Sequence, residues 1–163
     1  MTERLHMVLR WTVRPVTLPV PLPMTVREVA RSDTEALVTV FFQGDLDTGE
    51  DAYPGEANAR TDVEATMDGF WGEMLWDASL VAVLDDVAVA TTFVVADHHH
   101  DGLPLLAFLV TQPAVQRRGA ASALVTASLA ALHQRGLTEL HLAVLPDNPA
   151  RRLYERLGFT VVR

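Results

Sequence analysis

Gln116-Arg117-Arg118-Gly119-Ala120-Ala121-Ser122 stands between an apolar run at 105–110 and a long amphipathic segment, in the order strand, small-residue loop, helix start. The chemistry this order suits is phosphate binding. A helix start presents N–H groups that lack intrahelical partners and carries a partial positive charge, and both favour an anion. Gly119 removes the side chain that would hold a diphosphate off the backbone, and Ala120, Ala121 and Ser122 keep the following positions small. Arg117 and Arg118 add charge. Taken alone, the segment is equally a loop-to-helix junction in which Gly119 relieves strain and the arginines are solvated.

Other chemistries are narrower. The chain has no cysteine, which excludes disulfides, thiolate metal sites and a cysteine nucleophile. His98, His99 and His100 are adjacent between Asp97 and Asp101. Neighbouring side chains in extended backbone point to alternate sides and suit a shared metal poorly, so the run reads as a solvated turn and no metal is expected.

The elements that must position these residues follow from periodicity and breakers. Residues 5–23 mix β-formers with Pro15, Pro19, Pro21 and Pro23, which reads as an extended arm or an edge strand and not as a central strand. A short strand over 25–29 precedes a helix capped at Ser32 or Asp33 and running to about Phe42. Residues 44–55 read as an acidic loop, and a second helix is expected from about Thr61 to Trp76, interrupted by Gly69 and Gly72. Apolar runs at 79–84 and 87–95, joined at Asp85-Asp86, read as an antiparallel hairpin. After the strand at 105–110, a long helix begins near Arg118 and stops at Gly136. A strand over 137–145, a break at 146–149, a helix over 150–157 closed by Gly158 and a last strand from Phe159 complete the chain.

With 163 residues, about half of them apolar, the chain has room for one sizeable core. No apolar run approaches the roughly twenty residues of a membrane span. Arg10 and Arg14 interrupt the apolar stretch at the N-terminus, so it does not read as a signal peptide, and a cytoplasmic location is expected. The formal charge is −8, and between Asp45 and Asp101 the acids face Arg60 alone. From Gly102 onward seven arginines face Glu139, Asp147 and Glu155. The C-terminal half suits a phosphate-bearing ligand and the middle a cationic partner, while the acidic balance argues against nucleic acid.

Two motifs in order give the chain a family resemblance. Gln116-Arg117-Arg118-Gly119-Ala120-Ala121 resembles the (Q/R)-x-x-G-x-(G/A) signature of GCN5-related N-acetyltransferases (GNAT), which follows a strand and opens a long helix. Asn148-Pro149-Ala150-Arg151-Arg152-Leu153-Tyr154-Glu155-Arg156-Leu157-Gly158-Phe159 is similar to the closing motif of the same family. The resemblance implies the GNAT form of the α/β (α+β) class. That is a mixed central sheet of six to seven strands with flanking helices and a splay between the two central strands. Residues 24–163 would be one N-acetyltransferase domain preceded by the arm of residues 1–23.

It also implies acetyl-CoA as cofactor and direct attack by a primary amine of a small molecule or peptide as acceptor; the acidic middle, read separately, suits a cationic amine. Leu109, Val110 and Thr111 would present main-chain groups to the acetyl and pantetheine portions. Gln116, Arg117, Arg118, Gly119, Ala120, Ala121 and Ser122 would hold the pyrophosphate. Asn148 would contact the cofactor, although its spacing to Tyr154 is one residue shorter than the family pattern, which leaves Asp147 as the other occupant of that place. Asn148 reads equally as the cap of the helix opened by Pro149. Tyr154 matches the tyrosine that protonates the departing CoA sulfur and would also touch the cofactor. An ordinary phenol pKa of about 10 suits that transfer. Many members place a glutamate base on a central strand; Ala143 stands there in this chain. His141 on the same strand face, Asp97, Asp101 and Glu73 are the other bases open to it. The reading from a different class is a non-catalytic acyl-CoA sensor. A homodimer is one assembly open to the chain, with the proline-rich arm packed either on its own sheet or on a second subunit.

Overall fold

The computed structural model describes residues 3–48 and 53–162. Strands and helices follow one another as β1 (Leu5–Arg10), β2 (Thr25–Glu28), α1 (Thr34–Thr48), α2 (Glu56–Met67), β3 (Gly72–Met74), β4 (Leu80–Leu84), β5 (Val87–Asp97), β6 (Pro104–Thr111), α3 (Ala120–Gln134), β7 (Glu139–Val144), α4 (Ala150–Leu157) and β8 (Thr160–Val161). The strands form one sheet in the order β2-β4-β5-β6-β7-β1-β8, with β3 also pairing with β5. β6 and β7 are parallel, and the other pairs are antiparallel. This is the mixed α/β sheet with flanking helices that the two motifs imply.

Strand alternation sends neighbouring residues of β5 to opposite faces. Phe93 and Val95 pack with Leu37, Phe41 and Val63 from α1 and α2, whereas Val94 packs with Val125, Leu129 and Leu132 from α3. Each such side chain contributes about 1.5–3 kcal/mol on burial. That exceeds the few tenths of a kcal/mol by which β-branched Val125 and Thr126 disfavour a helix, so packing fixes α3 in place. Its polar link is also buried: Ser128 Oγ donates to the Ala78 carbonyl at 2.7 Å and lies 3.0 Å from Thr92 Oγ1.

The alternation breaks once in β6. Phe93 pairs with Phe108 and Val94 with Leu106, so Ala107 is an extra residue. Leu105, Ala107, Phe108 and Val110 therefore pack toward α1 and α2, and Leu106 and Leu109 toward α3 and α4. A bulge of this kind turns the strand and leaves a main-chain group outside the ladder.

Several boundaries differ from the sequence expectation. Residues 5–10 are not an edge strand: β1 pairs along its whole length with β7 and on its other side with β8, and Met7 is fully buried. The prolines that argued against a central strand all follow residue 14, beyond the strand. The segment after β1 packs on its own domain. Leu18 N–H donates to Thr126 Oγ1 of α3 at 2.9 Å, and Met24 joins Ala120 and Leu124 in a buried cluster. Asp33 faces backward, accepting from the Ala30 N–H and from Arg27, both at 2.8 Å, ahead of α1. The second helix starts at Glu56 and ends at Met67. It stops short of Trp76 because Gly69, at φ +89°, turns the chain out of the helix, with the Gly69 N–H donating to the Thr66 carbonyl at 3.2 Å and the Phe70 N–H to the Ala65 carbonyl at 2.9 Å. Gly72 then lies in β3 against β5, where a β-carbon would be 1.7 Å from the Ala96 carbonyl oxygen. Within the expected acidic loop, α1 extends to Thr48, and residues 49–52 lie outside the described residues.

Candidate active site

β6 and β7 pair at a single register point, Leu105 with His141. Beyond it they part, and a cavity of about 730 Å³ follows the gap between them. Leu105–Val110 and Leu142–Val144 form its two strand walls, and Asn148, Ala150 and Tyr154 border it from the start of α4. Arg4, Tyr53, Pro54, Asn58, Thr61, Asp62 and Trp71 complete the lining, with Tyr53 Oη donating to Asp62 Oδ2 at 2.8 Å. Asn58, Thr61 and Asp62 come from α2, so this helix supplies a polar rim to a space whose strand walls are apolar.

The far end of β6 leads into a second hollow of about 320 Å³. Thr111, Gln116, Arg117, Gly119, Ala121 and Ser122 line it, together with Arg156 from α4. Gln116 Nε2 donates to the Thr111 carbonyl at 3.1 Å and ties the turn to the strand end. Gly119 sits at φ +88°, a left-handed conformation that side chains disfavour, and a β-carbon there would meet only Pro21, at 3.8 Å. The first turn of α3 therefore opens on this hollow unobstructed. Val110 lines the gap and the next residue, Thr111, lines this hollow, so the two are consecutive along β6.

Most residues singled out in the sequence thus come together. Leu109, Val110, Asn148 and Tyr154 border the gap, and Thr111, Gln116, Arg117, Gly119, Ala121 and Ser122 border the hollow at α3. Arg118 and Ala120 line neither; Arg118 is exposed and Ala120 is buried beneath the turn. Asn148 Oδ1 accepts from the Ala150 N–H at 2.8 Å, which is the capping contact, while Asp147 is exposed and borders neither space. Tyr154 is buried and packs against Phe159 with ring centroids 5.7 Å apart. Arg156 and the Ala107 bulge escaped the sequence reading. The first looks like an ordinary helix charge, and the second depends on pairing with another strand.

A third hollow, of about 380 Å³, shares Arg4, Trp71, Leu105, Leu142 and Ala143 with the gap. His141 and Asp97 line it and are both buried; Glu73 and Asp101 are exposed and line none of the three. His100, from the triple-histidine turn, is 2.7 Å from Asp97 Oδ2 through Nδ1, and His6 Nε2 is 3.2 Å from His141 Nδ1. The turn is therefore not wholly solvated: His98 and His99 are exposed, but His100 folds inward. Burial, followed by the neighbouring His100, pushes the His141 pKa down, and Asp97 and the Leu103 backbone offset this only in part. Burial would raise the Asp97 carboxyl, but the His99 N–H and the His100 ring hold it below its ordinary value. His6 could not have been paired with this cluster from sequence, being 135 positions from His141.

Residues 49–159 match the Acetyltransferase (GNAT) family, which is more than half of the chain. The chain belongs to the GNAT family. Among solved structures, a GCN5-related N-acetyltransferase from Sphaerobacter thermophilus is similar at a TM-score of 0.75 and 19% identity, covering 99% of this chain and 49% of that one. A GNAT-family protein from Novosphingobium aromaticivorans gives 0.67 and 19%, covering 99% and 60%. This chain therefore spans about half to three-fifths of the length of those two proteins. The PaiA N-acetyltransferase from Thermoplasma acidophilum, solved in complex with coenzyme A, gives 0.66 and 15%, covering 85% and 91%. At these identities the likeness is one of fold. Comparison with curated proteins finds no match. Among the described residues of this GNAT domain, no helix is long and apolar enough to cross a membrane.

Proposed function

We propose that this GNAT domain is an N-acetyltransferase that takes acetyl-CoA between β6 and β7 and passes the acetyl group directly to a primary amine. The observation that carries this reading is the parting of the two strands after Leu105 and His141. Unpaired strand edges can bind an extended ligand as an added strand would, through main-chain groups.

The residues present fit acetyl-CoA. The hollow at α3 combines helix N-terminal N–H groups, a glycine turn without a side chain, and the guanidinium groups of Arg117 and Arg156, a combination suited to a diphosphate. The gap that starts one residue earlier has apolar strand walls suited to a pantetheine arm. When bound, acetyl-CoA supplies an acyl group activated as a thioester.

The remaining chemistry belongs to the chain. Main-chain N–H groups of β6 near the Ala107 bulge would stabilise negative charge developing on the acyl oxygen. Tyr154, at the gap, would hold the proton for the leaving sulfur, since a phenol and a thiol have comparable basicity. Asp62, on the α2 rim of the gap, supports a cationic amine as acceptor. The test is thiol release from acetyl-CoA with a panel of polyamines, aminoglycosides, peptide amines and neutral amino acids, alongside CoA-dependent thermal shift. Thiol release with a cationic amine is expected. A thermal shift without release across the panel would make the domain a sensor, and no shift with CoA would refute the gap as its site.

A further inference from the structure

Four chain segments that are remote in sequence or lie on different elements converge on one point beside the β6–β7 gap. β5 ends there with Asp97, the following turn contributes His100, β7 contributes His141, and β1 contributes His6. One ligand atom from each of Asp97, His100 and His141 lies within 4.8 Å of the other two. The three imidazoles stand with ring centroids 4.8–5.3 Å apart.

Two features separate this cluster from a self-contained hydrogen-bond network. His141 is 4% exposed, yet its Nε2 has no hydrogen-bond partner among the described residues. That nitrogen is 3.6 Å from Asp97 Oδ2, beyond hydrogen-bond distance. A buried nitrogen left this way is destabilising until a partner satisfies it. The second feature is that the other atoms of both groups are already engaged. Asp97 Oδ1 accepts from the His99 N–H at 2.9 Å, and His141 Nδ1 is held by His6 at 3.2 Å. With His141 Nδ1–H donating to His6, the Nε2 lone pair faces the carboxylate, and a metal cation between them satisfies both. Outer contacts of this kind orient the ligands of metal sites.

We propose that Asp97 Oδ2, His100 Nδ1 and His141 Nε2 form a binding site for one divalent transition-metal ion of the zinc type. Two imidazoles and a carboxylate match the ligand preference of such ions, and a tetrahedral site with bonds of about 2.0–2.1 Å places ligand atoms about 3.3–3.5 Å apart. The 3.6 Å between Asp97 and His141 already fits, and the 2.7 Å contact of His100 opens by under an ångström once its Nδ1 proton is replaced. Three protein ligands leave a fourth position, and the hollow of about 380 Å³ beside the cluster gives it access to the gap. The site stands independently of acetyl transfer.

The test uses the full chain without a histidine tag, stripped by chelator and titrated with Co²⁺ while visible absorption is recorded. One Co²⁺ per chain with intense tetrahedral bands is expected, and Zn²⁺ should displace it and raise Tm. Asp97→Asn and His100→Ala should each weaken binding at least tenfold, with metal-free melting curves showing that both remain folded. His99→Ala should bind as the parent does, because its contact with Asp97 is made by the backbone. Absence of saturable Co²⁺ binding, or binding unchanged by His100→Ala, would overturn the proposal. Loss of binding in His99→Ala would assign it to exposed histidines and overturn it equally.

Discussion

Leu105 and His141 face each other at the one point where β6 and β7 pair, and the gap between the strands opens from there toward α3. His141 both closes the pairing and belongs to the histidine–aspartate cluster, so the gap and the cluster share a wall.

Tyr154→Phe removes the hydroxyl and retains the ring that packs on Phe159. kcat should fall on the order of 100-fold, within the range for loss of a general acid, while CoA affinity stays within about twofold. Steady-state kinetics and calorimetric CoA titration read the two separately. An unaltered kcat would leave the tyrosine with packing alone.

Gly119→Glu places bulk and negative charge at the turn. CoA affinity should fall roughly 100-fold, about 2.7 kcal/mol. The left-handed φ adds a folding cost of about 1–2 kcal/mol, which a melting curve measures. Arg156→Ala should weaken CoA binding by roughly threefold to tenfold, more at low salt than at high. Equal affinity for both variants and the parent would remove the diphosphate from this hollow.

Deletion of residues 1–23 should abolish folding. Met7 and Val8 are core residues, and β1 supplies a full antiparallel partner to β7. Burial of two such side chains contributes roughly 3–6 kcal/mol, a large share of the about 5–15 kcal/mol that holds a typical domain together. Circular dichroism of residues 24–163 checks this, and a cooperative melt near that of the full chain would refute it.

Asp33 accepts two hydrogen bonds from Arg27 and one from the Ala30 N–H, and its pKa is lowered from the ordinary 3.8, chiefly by Arg27. A carboxyl lowered on folding stabilises the folded state above its unfolded value, and that contribution fades as pH falls through the folded value. Asp33→Asn should therefore cost about 1–3 kcal/mol near pH 7, with the difference from the parent shrinking below about pH 4. Melting curves from pH 7 to pH 2 test it; a constant difference would place the effect elsewhere.

Local signals carried much of the candidate site. Gly119 with its small neighbours marks a helix start and a left-handed turn, and both are set by residues a few positions apart. The α4 motif from Asn148 to Gly158 is equally local, and the helix falls where its breakers place it. Where boundaries differed, distant contacts overruled local signals. Residues 72–74 pair with β5 as β3, and residues 5–10 gained two strand partners from the far end of the chain.

The sequence by itself determined the order of elements from β4 onward, the glycine turn before α3 and the family motifs, because each depends on propensity and spacing within one segment. The motifs implied a splay between the two central strands, but only the tertiary structure decided where β6 and β7 part, that Ala107 is a bulge, and that His6, Asp97, His100 and His141 converge. Those outcomes depend on which strands lie side by side and in what register, and no single segment encodes the position of its neighbour.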